Sequence, residues 1–131
     1  MVVLSSWRES FETAIRELEL ANRKKEALRD LLERKRMSRS TYDYLIRELE
    51  GEIGRLRDHM RVLAKRMNER IGELHRQERM LERLLAWLEL MHIGGEIDEE
   101  RYNHQRDTFM SGLDATRSEI RQIEKALRRI K

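Results

Sequence analysis

RKRMSRSTYDYL at residues 34–45 and GGEIDEERY at residues 94–102 are the stretches that decide the fold. In each, an N-cap residue, Ser38 or Asp98, follows an apolar residue, Met37 or Ile97, and precedes a tyrosine four positions on, Tyr42 or Tyr102. That is the pattern of a hydrophobic staple, in which the residues flanking the cap fix the angle at which the chain enters a helix. Before the second staple, Gly94-Gly95 reads as a helix C-cap. The two staples are 60 residues apart, and the same offset aligns Leu28 with Leu88, Leu31 with Met91, Leu49 with Phe109, Ile53 with Leu113, Met60 with Ile120, Leu63 with Ile123 and Met67 with Leu127. A duplicated helical hairpin is expected.

Outward from the staples, apolar residues recur at 4-3 spacing. The first stripe is Trp7, Phe11, Ala14, Leu18, Ala21, Leu28 and Leu32, broken only by Lys25, and Ser6 with Glu9 reads as a capping-box start. The second holds Tyr42, Leu45, Leu49, Ile53, Leu56, Met60, Leu63, Met67, Ile71, Leu74, Leu81, Leu85 and Leu88, with 4-4 steps that locally relax a left-handed supercoil. The third is Tyr102, Phe109, Leu113, Thr116, Ile120, Ile123, Leu127 and Ile130. The pattern predicts three helices, over about 6–36, 39–92 and 98–131. The middle one is roughly 80 Å long at about 1.5 Å per residue. Gly51, Gly54 and Gly72 lie inside it, either for close helix approach or as bends.

Connections this short force antiparallel packing, so the fold class expected is all-α: an elongated coiled coil whose long central helix is shared by two end-to-end hairpins. Trp7 and Leu127 would both come to the middle of that helix, leaving the tips at opposite ends. Composition agrees. The chain has 131 residues, 40% charged and 39% hydrophobic, with 5% aromatics, no proline and no cysteine. Those proportions suit long helices and exclude disulfides, thiolate metal sites and cysteine nucleophiles. A cytoplasmic home is expected. No stretch approaches the roughly 18 apolar residues of a membrane span, and no signal peptide is visible.

Ile15, Leu20, Leu31, Ile46, Val62, Leu84, Leu90 and Met110 fall off the seams. So many apolar residues beside a two-helix seam predict a homodimer of four-helix cross-section; the alternative is a monomer with scattered apolar surface. The tips differ in sign, with Arg34, Lys35, Arg36 and Arg39 at the first and Glu96, Asp98, Glu99 and Glu100 at the second. Opposite charge would favour head-to-tail contacts and filaments. Ordinary helix-dipole complementation accounts for the same residues except Arg39.

The segments VVLSSWRESFETAIRELE, RKRMSRSTYDYL and GGEIDEERY resemble the coiled-coil region of the CdvA family of archaeal cell-division proteins. The resemblance covers essentially the whole chain and rests on the boundary motifs and the order of hairpins. It implies that Val2-Val3-Leu4, within residues 1–5, ends a preceding β-barrel, and that Trp7 starts the coil. It also implies a non-enzymatic scaffold that polymerises at the division site, on the inner face of the membrane, and recruits ESCRT-III-like subunits. Neither the barrel nor the family's short C-terminal binding peptide is recognisable, so those subunits are expected to bind regions outside this chain. Membrane association is expected of the full-length protein, and DNA binding stays open.

No catalytic, cofactor-binding or metal residue is assigned. His59, His75, His92 and His104 show no metal-ligand spacing; His92 and His104 near the second tip lack the thiolates that would suggest zinc. Lys125, Arg128, Arg129 and Lys131 join the basic tip as candidate phosphate contacts, without an interleaved aromatic platform. Two alternatives of other classes stay open: a chaperone or adaptor arm gripping clients at its tips, and a weak nucleic-acid-binding coil.

Overall fold

The structure, a computed structural model, describes the backbone of residues 2–130 and the side chains of residues 7–130. Its helices are α1 (Val2–Glu33), α2 (Arg39–Ile93) and α3 (Glu99–Arg128), and no strand occurs among the described residues. The fold is all-α. Two compact units divide the chain at residue 65. Hairpin one is α1 with the first half of α2, and hairpin two is the second half of α2 with α3.

Each hairpin buries one stripe per helix. In hairpin one, Phe11, Ala14, Ile15, Ala21 and Leu28 of α1 are buried, together with Ile53, Met60 and Leu63 of α2. In hairpin two, Met67, Leu74 and Leu88 of α2 are buried with Tyr102, Leu113, Thr116, Ile120, Ile123 and Ala126 of α3. Steps of three, four and seven keep these residues on one helix face, and each large apolar side chain contributes about 1.5–3 kcal/mol when fully removed from water. Other seam residues, among them Trp7, Leu18, Leu49, Leu56, Phe109 and Leu127, are half-buried, because a pair of helices covers only one side of them. Lys25 pairs with Glu50 across hairpin one at 3.6 Å.

The helix ends depart from the periodicity. Helix α1 begins at Val2, so Val2–Ser5 are helical rather than extended and Ser6 lies inside the helix instead of capping it; the Ser6 side chain lies outside the described residues. The same helix stops at Glu33, three residues before the apolar stripe and charge run suggest, because Lys35 turns into the left-handed region at φ 59°. The glycines inside α2 do not mark close helix approach. A methyl group on Gly54 would meet nothing within 4 Å, and on Gly51 or Gly72 only an arginine tip.

Candidate functional site

The two tips are built alike. At the end of α1, Arg36 N–H donates to Leu31 C=O at 2.9 Å and Lys35 N–H to Leu32 C=O at 3.0 Å. At the end of the α2 helix, Glu96 N–H donates to Met91 C=O at 2.9 Å and Gly95 N–H to His92 C=O at 3.2 Å. Both are Schellman closures, which satisfy the last carbonyls of a helix by placing one residue in the left-handed conformation. Every partner in the second is 60 residues from its counterpart in the first. The following helices are capped in matching fashion: Ser38 Oγ accepts from Thr41 N–H at 3.1 Å, and Asp98 Oδ1 from Arg101 N–H at 2.8 Å. Met37, Ile97 and Tyr42 are half-buried, and Tyr102 is buried.

Side chains then make the tips different. Tyr102 stacks on His92 with centroids 3.7 Å apart and an interplanar angle of 9°, and donates its hydroxyl to Glu89 at 2.5 Å. The Glu89 carboxylate, with desolvation beside it, pushes the Tyr102 phenol above its ordinary range. His92 Nε2 lies 3.0 Å from Glu99 Oε1. In the first tip the equivalents of Glu89, His92 and Glu99 are Arg29, Leu32 and Arg39, so this polar cluster has no counterpart. Arg39 instead pairs with Asp43 at 3.1 Å and lies over the Tyr42 ring, a local role that helix-dipole reasoning does not supply. Arg34 pairs with Asp30 at 3.2 Å. Lys35 and Arg36 at the first tip, and Glu96 and Glu100 at the second, are exposed and make no ion pair among the described residues.

The hairpin stems differ as well. Across hairpin two, Arg70 donates to both oxygens of Glu119 at 3.1 and 3.5 Å, and Arg117 bridges Glu78 at 2.8 Å and Glu82 at 2.9 Å. The Glu119 carboxylate raises the Arg70 guanidinium above its ordinary value, and Arg117, followed by His75, holds Glu78 below its own. Thr116 is buried, accepts from Gln77 Nε2 at 2.6 Å and donates to Gly112 C=O at 2.8 Å. By the offset of 60, Glu78 and Thr116 stand where hairpin one has Leu18 and Leu56. The offset marks Glu78 and Thr116 as polar replacements in the seam, but the cross-pairs themselves carry no periodic signal.

Two apolar surfaces are left. Hairpin one carries an open hollow of about 400 Å³ between α1 and α2, floored by Ala27, Leu28, Leu31, Leu45 and Leu49 and rimmed by Lys24, Glu48, Glu52 and Arg55. Hairpin two presents Met80, Leu84 and Trp87 on one side of α2, at 59%, 39% and 63% exposure. Of the apolar residues off the seams, Leu20, Val62, Leu84, Leu90 and Met110 are exposed, Leu31 and Ile46 half-buried, and Ile15 belongs to the core. Trp87 and Met80 escape a reading by seam, since they stand on neither the stripe nor a motif.

Among the described residues, no three histidine or acidic side chains converge as a metal site, and no helix is long and apolar enough to cross a membrane. The described residues leave a hollow on hairpin one, a ridge on hairpin two and tips of opposite charge. The chain is similar to the Cell division protein A of Sulfolobus acidocaldarius, at 26% identity over 127 residues covering 97% of this chain and 53% of that protein. It therefore spans about half of that relative's length. No solved structure matches it. Residues 6–131, which hold most of hairpin one and all of hairpin two, match the CdvA-like coiled-coil domain, and the chain belongs to that family.

Proposed function

We propose that this chain is the self-associating coiled coil of a non-enzymatic cell-division scaffold. In the whole protein it would organise ESCRT-III-like division machinery on the inner face of the membrane, through regions outside these residues. The observation that carries the reading is the exposed apolar surface of hairpins only two helices thick. Met80, Leu84 and Trp87 stand in water beside a charged exterior, the mark of a surface that awaits a partner. The family and its cell-division relative support the setting.

A second reading, an adaptor or chaperone-type arm, is favoured by one observation: Leu90 and Ile93, next to the second tip, are 59% and 76% exposed. Light scattering with small-angle X-ray scattering at low and high salt separates the two. Self-association predicts at least twice the 15.9 kDa chain mass, with growth into longer species as salt is lowered. A monomer at every concentration would refute the scaffold reading and leave the arm.

A further inference from the structure

We propose that the hollow of hairpin one receives the Met80–Leu84–Trp87 ridge of a second copy, tip beside tip, so that hairpin one of each molecule packs on hairpin two of another. This rests on the self-association reading and names its interface. The repeat supplies both shape and register. Ala27, on the floor of the hollow, is the equivalent of Trp87 on the ridge, and Lys24 on the rim is the equivalent of Leu84. On the other helix, Glu52 and Arg55 at the rim correspond to Gly112 and Ala115 beside the ridge. One hairpin is therefore hollow with a charged border, and the other is raised and apolar with small residues alongside. Setting them together at equal distance from their tips brings Trp87 over Ala27.

Charge selects this pairing over a like one. In the same register, Lys35 and Arg36 of one tip come beside Glu96 and Glu100 of the other, and none of these makes an ion pair within its own hairpin among the described residues. Arg83, one helical turn from Trp87 and likewise without an ion pair, comes level with Glu52 at the hollow's rim. Two copies of hairpin two laid tip to tip would instead bring together two clusters of Glu96, Asp98, Glu99 and Glu100. A second copy is the occupant because the chain itself carries both halves of the surface at equivalent positions. Desolvating an exposed tryptophan in an apolar hollow makes it the anchor of the contact.

The absence of cysteine gives a clean test. Chains carrying Ala27→Cys are mixed with chains carrying Leu84→Cys, oxidised, and analysed by mass, while Trp87→Ala and Ala27→Trp are examined by light scattering. The expected result is a mixed 27–84 disulfide in excess over 27–27 and 84–84. Trp87→Ala, and Ala27→Trp by filling the hollow, should each weaken association more than about tenfold. Circular dichroism should show unchanged helicity, since both sites are exposed in the hairpin. If the chain associates but 84–84 links dominate, or neither substitution weakens it, the docking is overturned while self-association stands. A monomeric mass at all concentrations overturns both.

Discussion

Hairpin one and hairpin two share tip closure, cap position and apolar spacing, yet they hold their helices together by different means. Hairpin one relies on a nearly all-apolar seam, with Lys25–Glu50 at 3.6 Å as a cross-helix ion pair. Hairpin two places Glu78 and Thr116 where its counterpart has Leu18 and Leu56, and ties its helices with Arg70–Glu119, Arg117–Glu78 and Gln77–Thr116. Apolar contact is non-directional and tolerates sliding, whereas a bidentate guanidinium–carboxylate pair fits one register. The lesson is that one duplicated frame accommodates two ways of fixing register. The apolar area not needed inside hairpin two lies outside it, on Met80, Leu84 and Trp87.

The comparison breaks most readily in the cores. Phe11→Ala should cost about 3–5 kcal/mol and Ile123→Ala about 2–5 kcal/mol, both side chains being fully buried. Hydrogen exchange should show each substitution loosening its own hairpin first. Uniform acceleration across all three helices would mean that the hairpins unfold as one unit.

Smaller, but more telling about register, is the loss of the cross-pair. Glu119→Ala removes the cross-helix partner of the partly buried Arg70 guanidinium, leaving it Glu73 on its own helix at 3.2 Å, and should destabilise on the order of 1 kcal/mol, while Lys25→Ala should stay within about 0.5 kcal/mol. Denaturant midpoints of the two variants measure the difference, and equal shifts would erase the distinction between the stems.

The turns differ by a single backbone choice. Gly95 at φ 71° sits in its conformation without strain, whereas Lys35 at φ 59° carries a side chain there. Gly95→Ala should therefore cost about 1 kcal/mol, and Lys35→Gly should gain about 0.5 kcal/mol after the extra freedom of glycine in the unfolded chain is subtracted. Thermal melts at matched concentration check both signs.

The subtlest contrast is with acid. Arg117 and His75 hold the folded Glu78 below its ordinary value of 4.5, so the unfolded chain takes up this proton first. The stability contributed by this group is fully present above about pH 4.5 and is lost as pH falls through its folded-state value. An acid titration followed by exchange in hairpin two should show that loss, and Glu78→Gln should remove part of its pH dependence. A Glu78→Gln profile identical to that of the parent chain would show that the pair does not couple to folding.

Much of the frame was legible because heptads and caps are local. Ser38 and Asp98 announce helix starts through residues within four positions of them, and Gly94-Gly95 announces a stop. The end of α1 was not legible: Arg34-Lys35-Arg36 offers no glycine, yet closure of the repeated turn puts Lys35 in the left-handed region anyway. Ile15 falls off the heptad seam yet lies in the core, since a pitch of about 3.6 residues carries neighbours of a strict heptad onto the buried face. The candidate surface was less visible still. An unpartnered apolar surface was expected, but the hollow and the place of Trp87 on the ridge depend on which side of each helix its neighbour leaves open.

The sequence by itself therefore determined three helices, two hairpins, the offset of 60 and the sign of charge at each tip, because each is written within a few residues or a fixed period. Only the tertiary structure decided that Arg70 meets Glu119, that Tyr102 lies on His92, and that Trp87 stands in water while its counterpart Ala27 floors a hollow. Such choices depend on a facing helix up to 49 residues away along the chain, where side-chain size and charge settle what packs inward and what is left for a partner.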